Sequence, residues 1–166
     1  MRQSDIAVIF DMDGTIFDTE RLVLDCWERV GEKHGITDIR EVFMRCIGTN
    51  KVRTEEIVYG HYGRDFPYGK FSEDSSVLFH EITEKAGIPV KPGAAELLEY
   101  LFGNKIPLGL ASSTRLATVT QELQAAGLYD YFQVVVGGDL LKKSKPAPDI
   151  YLMTCERMGV LPKNTY

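Results

Sequence analysis

The sequence predicts an α/β fold, a doubly wound parallel sheet that is interrupted after its first strand by a helical module. Three observations lead to this prediction. A short, β-branched apolar run near the amino terminus ends at two aspartates, which is typical of a buried strand in a parallel sheet. About 70 residues with helical spacing follow, and strands and helices then alternate.

The first strand is predicted at residues 6–10, where the chain reads as a continuous apolar run. From residue 18 to residue 87 apolar residues recur at helical spacing, as in Leu22, Cys26 and Val30. Glycines and a proline divide this stretch into several helices. We therefore expect a helical module at residues 17–88, inserted into an α/β core that is formed by residues 1–16 and 89–166.

After the insertion, turn residues mark the alternating elements. Pro92 and Gly93 open a helix, and Gly103 and Asn104 end it. The predicted elements are a helix at 94–102, a strand at 106–111, a helix at 116–126, a strand at 132–136 and a helix at 148–158. This alternation implies a parallel sheet with helices on both faces, and ligands of such sheets bind beyond the carboxyl ends of the strands.

The composition is that of an ordinary globular chain. With 44% hydrophobic and 26% charged residues it is not disordered, and no apolar run approaches the roughly 20 residues that a membrane span requires. There are 24 acidic residues against 19 basic ones, so we expect neither a nucleic-acid nor a membrane partner. The three cysteines fit no disulfide framework or zinc pattern, and no export signal is visible. We expect a cytoplasmic monomer.

The sharpest chemical signal is the pair Asp11 and Asp13 at the end of the first strand. In an extended segment, side chains two residues apart face the same side, so the two carboxylates can share one site. Together they repel each other and favour a divalent cation, with Mg²⁺ the natural candidate. One carboxylate can attack phosphorus while the other protonates the leaving oxygen. Taken alone, this pattern is more often an Asx turn after a strand.

Two further segments place polar groups after predicted strands. In LGLASST, Ser112 and the N–H groups that follow it, beginning with Ser113, can hold phosphate oxygens. In KKSKPAPDIY, Lys145 precedes a proline-rich turn and a helix. Taken separately, Ser112 would be a helix cap and Lys145 a solvated loop charge. Their order and their placement after strands favour a shared site instead.

The segments FDMDGTIFDTE, LGLASST and KKSKPAPDIY together resemble, in this order, the motifs of the haloacid dehalogenase superfamily. KPGAAELLEYL extends the likeness to its sugar-phosphate phosphatases and β-phosphoglucomutases. The resemblance implies that Asp11 is the nucleophile, which forms an aspartyl-phosphate, and that Asp13 is a general acid that later activates water. It also implies that the side chain of Asp11 and the backbone carbonyl of Asp13 bind Mg²⁺. Ser112 and Ser113 would hold the phosphate, and Lys145 would neutralise the nucleophile and the phosphoryl group.

By the same resemblance, the helical module is a cap that closes over the core and selects a small phosphorylated metabolite. Lys51, in the segment 48–51, lies where related enzymes present a cation to the substrate. It is the predicted cap contact, although exposed lysines are usually just solvated. Arg115 either meets a distal phosphate or simply lies in the first turn of its helix.

The sequence departs from the family pattern at two places. The fourth motif, an acidic pair at the end of the next strand, does not appear, so we expect the carboxyl-terminal part of the core to be missing and the Mg²⁺ site to be weakened. In the resembling mutase a histidine on the first cap helix helps to control proton transfer. The matching residue here is Val23, which favours a phosphatase.

Three functions are compatible with these residues. The first is a Mg²⁺-dependent phosphatase that hydrolyses a small phosphate monoester, such as a sugar phosphate, through an aspartyl-phosphate. The second is a phosphomutase of the β-phosphoglucomutase type, which would use sugar instead of water as the acceptor. The third is a truncated phosphate-binding module with little or no activity. Within the resembling superfamily, Asp13 argues against a C–Cl hydrolase and a phosphonatase.

Overall fold

The chain folds into two compact units. The computed structural model describes residues 6–49 and 51–166, so the predicted core residues 1–5 and residue 50 lie outside the described residues. One unit contains residues 6–18 and 87–166, and the other contains residues 19–86. The interpretation of the second unit as a cap stays a prediction.

The core unit is built on a parallel sheet. Its strands are β1 (Val8–Phe10), β2 (Leu108–Ala111) and β3 (Val134–Val136), in the order β1-β2-β3. Both neighbouring pairs are parallel. The carboxyl ends of the three strands therefore lie at one edge of the sheet, where the predicted site residues follow them in sequence.

The last residues of the chain lie beside the free side of β1. Ala7 and Thr165 form a single parallel bridge. Next to it, the Ile9 N–H donates to the Tyr166 carbonyl at 2.7 Å. The backbone of β1 is thus paired on both sides, with β2 on one and this terminal segment on the other.

The strands end where predicted but begin two residues later. The first residues of the second and third predicted strands are apolar, yet their N–H groups do not bond to a neighbouring strand. The Ile106 N–H donates to the Leu101 carbonyl in the preceding helix. Likewise, Phe132 donates to Tyr129 in a 3-10 turn. The apolar pattern records burial, which extends beyond the sheet hydrogen bonds.

Helices cover both faces of the sheet, which confirms the predicted fold class. They are α5 (Ala94–Gly103), α6 (Leu116–Ala125) and α7 (Asp149–Met158). Leu98 of α5 and Leu123 of α6 pack with Leu110 on one face. On the other face, Ile150 of α7 packs with Ala111 and Val136.

A glycine brings α7 close to the sheet. A Cβ added to Gly109 of β2 would lie 2.5 Å from the Met158 sulfur and 2.8 Å from Cγ2 of Thr154. Both of these residues belong to α7. The missing side chain therefore sets the spacing between this helix and the central strand.

The second unit is helical. It contains α1 (Thr19–Lys33), α2 (Ile39–Cys46), α3 (Lys51–Tyr62) and α4 (Tyr68–Ala86), with no strand among its described residues. Trp27 packs edge-on against Phe43 and Phe71, with ring centroids 5.2 and 5.3 Å apart. This unit therefore has a hydrophobic core of its own. Among the described residues of both units, no helix has the length and apolar character of a membrane span.

Candidate active site

The loop after β1 presents two carboxylates on either side of a buried residue. Met12 is 1% exposed, and its carbonyl accepts the N–H groups of residues 15–17 at 2.9 to 3.3 Å. Gly14 turns the chain with φ 72°, a conformation that glycine adopts without strain. Asp11 is half-buried and Asp13 is exposed, so both carboxylates keep access to solvent while the backbone between them is fixed.

Lys145 joins this loop from the segment between β3 and α7. Its ammonium donates to Asp11 Oδ1 at 2.6 Å and to the Ala111 carbonyl at 2.9 Å, and it lies 5.0 Å from the centroid of the Tyr151 ring. Burial alone would lower the pKa of this ammonium, but the interactions with Asp11 and Tyr151 outweigh it and raise the pKa. Lys145 therefore stays positively charged beside Asp11.

Ser112 and Ser113 begin the loop after β2. The Ser112 N–H donates to the Val136 carbonyl at 3.0 Å, and its hydroxyl oxygen accepts the Thr114 N–H at 3.1 Å. Ser112 is thus the first residue of a tight turn and does not cap α6. It is completely buried, so a phosphate could reach its hydroxyl only if neighbouring groups moved, whereas Ser113 is exposed.

Two residues of the same region that the sequence analysis missed lie near Asp13. The Thr114 hydroxyl donates to Asp13 Oδ2 at 3.2 Å. On α6, Oε2 of Glu122 is buried and has no hydrogen-bond partner among the described residues. Burial and the negative charge of Asp13 raise the pKa of Glu122 to about 6.

A sequence signal for Glu122 did exist. On α6, Glu122 lies three residues after Val119 and next to Leu123, both of which are fully buried. A carboxyl on the apolar side of an amphipathic helix is unusual and marks an environment worth testing. No comparable signal exists for Thr114, because its contact joins residues 101 positions apart.

The loop after β3 supports the loop after β2. Asp139 Oδ1 accepts the N–H of Leu116, the first residue of α6, at 2.8 Å. The N–H of Gly138 donates to the Thr114 carbonyl at 2.9 Å. A Cβ at Gly138 would lie 2.2 Å from the Ser113 carbonyl oxygen, so only glycine permits this approach.

The two predicted substrate contacts are both exposed. Lys51 is the first residue of α3 in the helical unit. Arg115 directly precedes α6 in an extended conformation, with φ −61° and ψ 140°, and so lies just outside the first helical turn. Their contact with a substrate stays a prediction. Val23 is partly buried and packs on the core of the helical unit.

The donor set fits a magnesium ion that keeps part of its water shell. In the part of the chain that the structure describes, no three His, Cys, Asp or Glu side chains group into a metal cluster. Asp11 and Asp13 offer oxygen donors two residues apart, and Mg²⁺ in phosphate sites is often bound by one or two carboxylates together with water and substrate oxygens. These residues suit Mg²⁺, but they supply few protein ligands.

The chain is similar to known proteins along nearly its whole length. The model of the haloacid dehalogenase-like hydrolase family matches residues 8–166. The chain belongs to this family. It is 33% identical over 162 residues to a phosphorylated carbohydrates phosphatase of Thermotoga maritima, covering 95% of this chain and 72% of that protein.

Other haloacid dehalogenase-like relatives include a mutase. β-Phosphoglucomutase of Bacillus subtilis is 30% identical over 165 residues, which covers 94% of this chain and 71% of that enzyme. A crystal structure of a candidate β-phosphoglucomutase from Thermotoga maritima superimposes with a TM-score of 0.74 at 31% identity. The match covers 96% of this chain and 74% of that one.

Proposed function

We propose that this haloacid dehalogenase-like hydrolase is a Mg²⁺-dependent phosphatase that hydrolyses a small phosphate monoester, such as a sugar phosphate, through an aspartyl-phosphate. The proposal rests on one observation above all, the ammonium of Lys145 at 2.6 Å from the Asp11 carboxylate. A charged lysine in this place donates a hydrogen bond to the Asp11 carboxylate and reduces the repulsion that an approaching phosphate would meet there.

In the first step a carboxylate oxygen of Asp11 attacks phosphorus and forms an O–P bond. The bond between phosphorus and the ester oxygen breaks, and that oxygen takes a proton from Asp13 as it leaves. Lys145 balances the negative charge on Asp11 and on the phosphoryl group. The products of this step are the free alcohol and phosphorylated Asp11.

In the second step water attacks the phosphorus of phosphorylated Asp11. Asp13, now ionised, takes a proton from this water, and the bond between Asp11 and phosphorus breaks. Inorganic phosphate leaves, and both aspartates return to their starting states. The N–H groups of the loop that begins with Ser112 and Ser113, together with the exposed Ser113 hydroxyl, would hold the phosphate oxygens during both steps. The buried Ser112 hydroxyl would join them only after neighbouring groups move.

Asp11, through its carboxylate, and Asp13, through its backbone carbonyl, would hold Mg²⁺. When bound, the ion supplies positive charge that offsets the charge of the phosphate oxygens and reduces the repulsion between phosphate and carboxylate. The buried free thiols Cys26, Cys46 and Cys155 favour a reducing compartment, and we expect the enzyme to act in the cytoplasm as a monomer.

The test is a panel of small sugar phosphates, with release of inorganic phosphate as the readout. We expect release from at least one member in the presence of Mg²⁺. Removal of the metal with EDTA should lower the rate at least about tenfold, and added Mg²⁺ should restore it. No release from any member would overturn the proposed function, and a rate unaffected by EDTA would overturn its dependence on Mg²⁺.

A phosphomutase of the β-phosphoglucomutase type is the second candidate, because the Bacillus subtilis enzyme of that name is 30% identical. The same two aspartates would serve, but a sugar hydroxyl would accept the phosphoryl group. Incubation with β-glucose 1-phosphate distinguishes the two reactions. Conversion to glucose 6-phosphate without release of phosphate would replace the phosphatase assignment with that of a mutase.

A further inference from the structure

The carboxylate of Asp13 is held by a residue outside its own loop. The Thr114 hydroxyl donates to Asp13 Oδ2 at 3.2 Å, across 101 positions of the sequence. Thr114 comes from the loop after β2, whereas Asp13 comes from the loop after β1. The contact therefore fixes the carboxylate relative to the segment that begins with Ser112 and Ser113.

The backbone of Thr114 is itself held on both sides. Its N–H donates to the Ser112 hydroxyl oxygen at 3.1 Å, and its carbonyl accepts the Gly138 N–H at 2.9 Å. Thr114 is half-buried, so its side chain has limited freedom to turn toward solvent. A hydroxyl on such a fixed backbone is well placed to orient a carboxylate.

From this geometry we infer that Thr114 is a positioning residue for the general acid Asp13, whose carboxyl group it holds in the orientation needed to protonate the leaving oxygen. The inference rests on the proposed function. Thr114 acts through Asp13 and does not itself touch the reacting phosphorus.

Loss of the Thr114 hydroxyl should slow the reaction to an extent that depends on the leaving group. An alkoxide leaves poorly unless it is protonated, whereas 4-nitrophenolate leaves readily without a proton. Misplacing the acid should therefore slow the hydrolysis of benzyl phosphate much more than that of 4-nitrophenyl phosphate, a substrate of similar size. A change that damaged the phosphate-binding loop would slow both alike.

The experiment compares kcat/KM for these two substrates in the wild type, Thr114→Val and Thr114→Ser. We expect Thr114→Val, which keeps the shape and removes the hydroxyl, to lower the value for benzyl phosphate roughly 10- to 100-fold. The value for 4-nitrophenyl phosphate should fall less than about threefold. Thr114→Ser, which keeps the hydroxyl, should stay close to the wild type. Thr118→Val, at an exposed threonine of α6, is the matched control and should change neither value.

Asp13→Asn serves as the reference, because it removes the acid itself and should show the same dependence on the leaving group to a greater degree. Equal losses on both substrates in Thr114→Val would overturn the role of Thr114 and leave the phosphatase function intact. A wild type that releases phosphate neither from these two substrates nor from any of the sugar phosphates would overturn the proposed function as well. If Thr114→Val does not fold, as judged by its melting temperature, Thr114→Ala takes its place with the same expected pattern.

Discussion

Two side chains near Asp11 and Asp13 favour opposite states of ionisation: one is stable as a charged group and the other as a neutral group. Lys145 is a cation with two hydrogen-bond acceptors, Asp11 and the Ala111 carbonyl. Glu122 is a buried carboxyl whose Oε2 has no hydrogen-bond partner among the described residues. The first is satisfied in its charged form, whereas the second is better tolerated as a neutral acid.

The raised pKa of Glu122, about 6, predicts a stability that depends on pH. The folded protein holds this proton more tightly than the unfolded chain, whose glutamates titrate near 4.3. The contribution of Glu122 to the free energy of unfolding is therefore fully present below about pH 4 and is lost as the pH rises through about 6. In Glu122→Gln this loss of stability does not occur. The free energy of unfolding of the variant, measured relative to that of the wild type, should therefore be about 1–2 kcal/mol higher at pH 8 than at pH 4.5.

Urea unfolding of the wild type and Glu122→Gln at the two pH values measures this difference. Glu99→Gln, at an exposed glutamate of α5, is the control and should have the same small effect at both. An effect of Glu122→Gln that did not change between pH 4.5 and pH 8 would show that burial of Glu122 does not favour its neutral form.

At the scale of secondary-structure elements, hydrogen bonds hold the loops after β2 and β3 together. Gly138 donates to the Thr114 carbonyl, and Asp139 accepts the first N–H of α6. Any shift of the loop after β3 is therefore passed to Ser113, Thr114 and the start of α6 through these contacts.

Gly138→Ala tests whether the close contact between these two loops is needed. The new Cβ would lie 2.2 Å from the Ser113 carbonyl oxygen, so one loop must move. We expect a loss of stability of about 1–3 kcal/mol, together with a fall in the rate of phosphate release. Gly103→Ala is the matched control, because a Cβ there meets open space at the end of α5 and should be neutral or slightly stabilising. Thermal melts and phosphate assays that found the two variants alike would show that the close approach of the loops is not needed.

The sequence predicted correctly which elements form and where the strands end, but not where the strands begin. The carboxyl ends of the strands were predicted correctly, since each apolar run stops abruptly at polar or glycine residues such as Asp11, Ser112 and Gly137. The amino ends were placed two residues early, because Ile106 and Phe132 are apolar but bond to preceding helical turns. Periodicity reports burial and contains no information on hydrogen-bond partners.

The contacts within the site, like the strand boundaries, could be predicted only in part from the sequence. That Asp11 and Lys145 approach each other could be expected, because the carboxyl ends of parallel strands meet at one edge of the sheet. The hydrogen bond from Thr114 to Asp13 could not, since it depends on the backbone of a loop whose conformation is fixed by Gly138. The buried carboxyl of Glu122 was predictable from its helical position but was not identified.

At the scale of the whole molecule, the core unit carries every residue of the proposed chemistry. Asp11, Asp13, Thr114 and Lys145 are linked by contacts within residues 6–18 and 87–166. The helical unit has a separate core around Trp27 and contains the predicted substrate contact Lys51. We therefore expect the phosphoryl chemistry to depend on the core unit and the choice of substrate to depend on other residues as well.

The central claim is that Asp11 is the nucleophile, and the rate of phosphate release by Asp11→Asn tests it most directly. An amide cannot form the O–P bond, so the variant should lose at least about 1,000-fold in kcat on 4-nitrophenyl phosphate with Mg²⁺ present. Asp130→Asn, at an exposed aspartate of the core unit, should keep the rate of the wild type. A folded Asp11→Asn that releases phosphate at a rate close to that of the wild type would contradict the account.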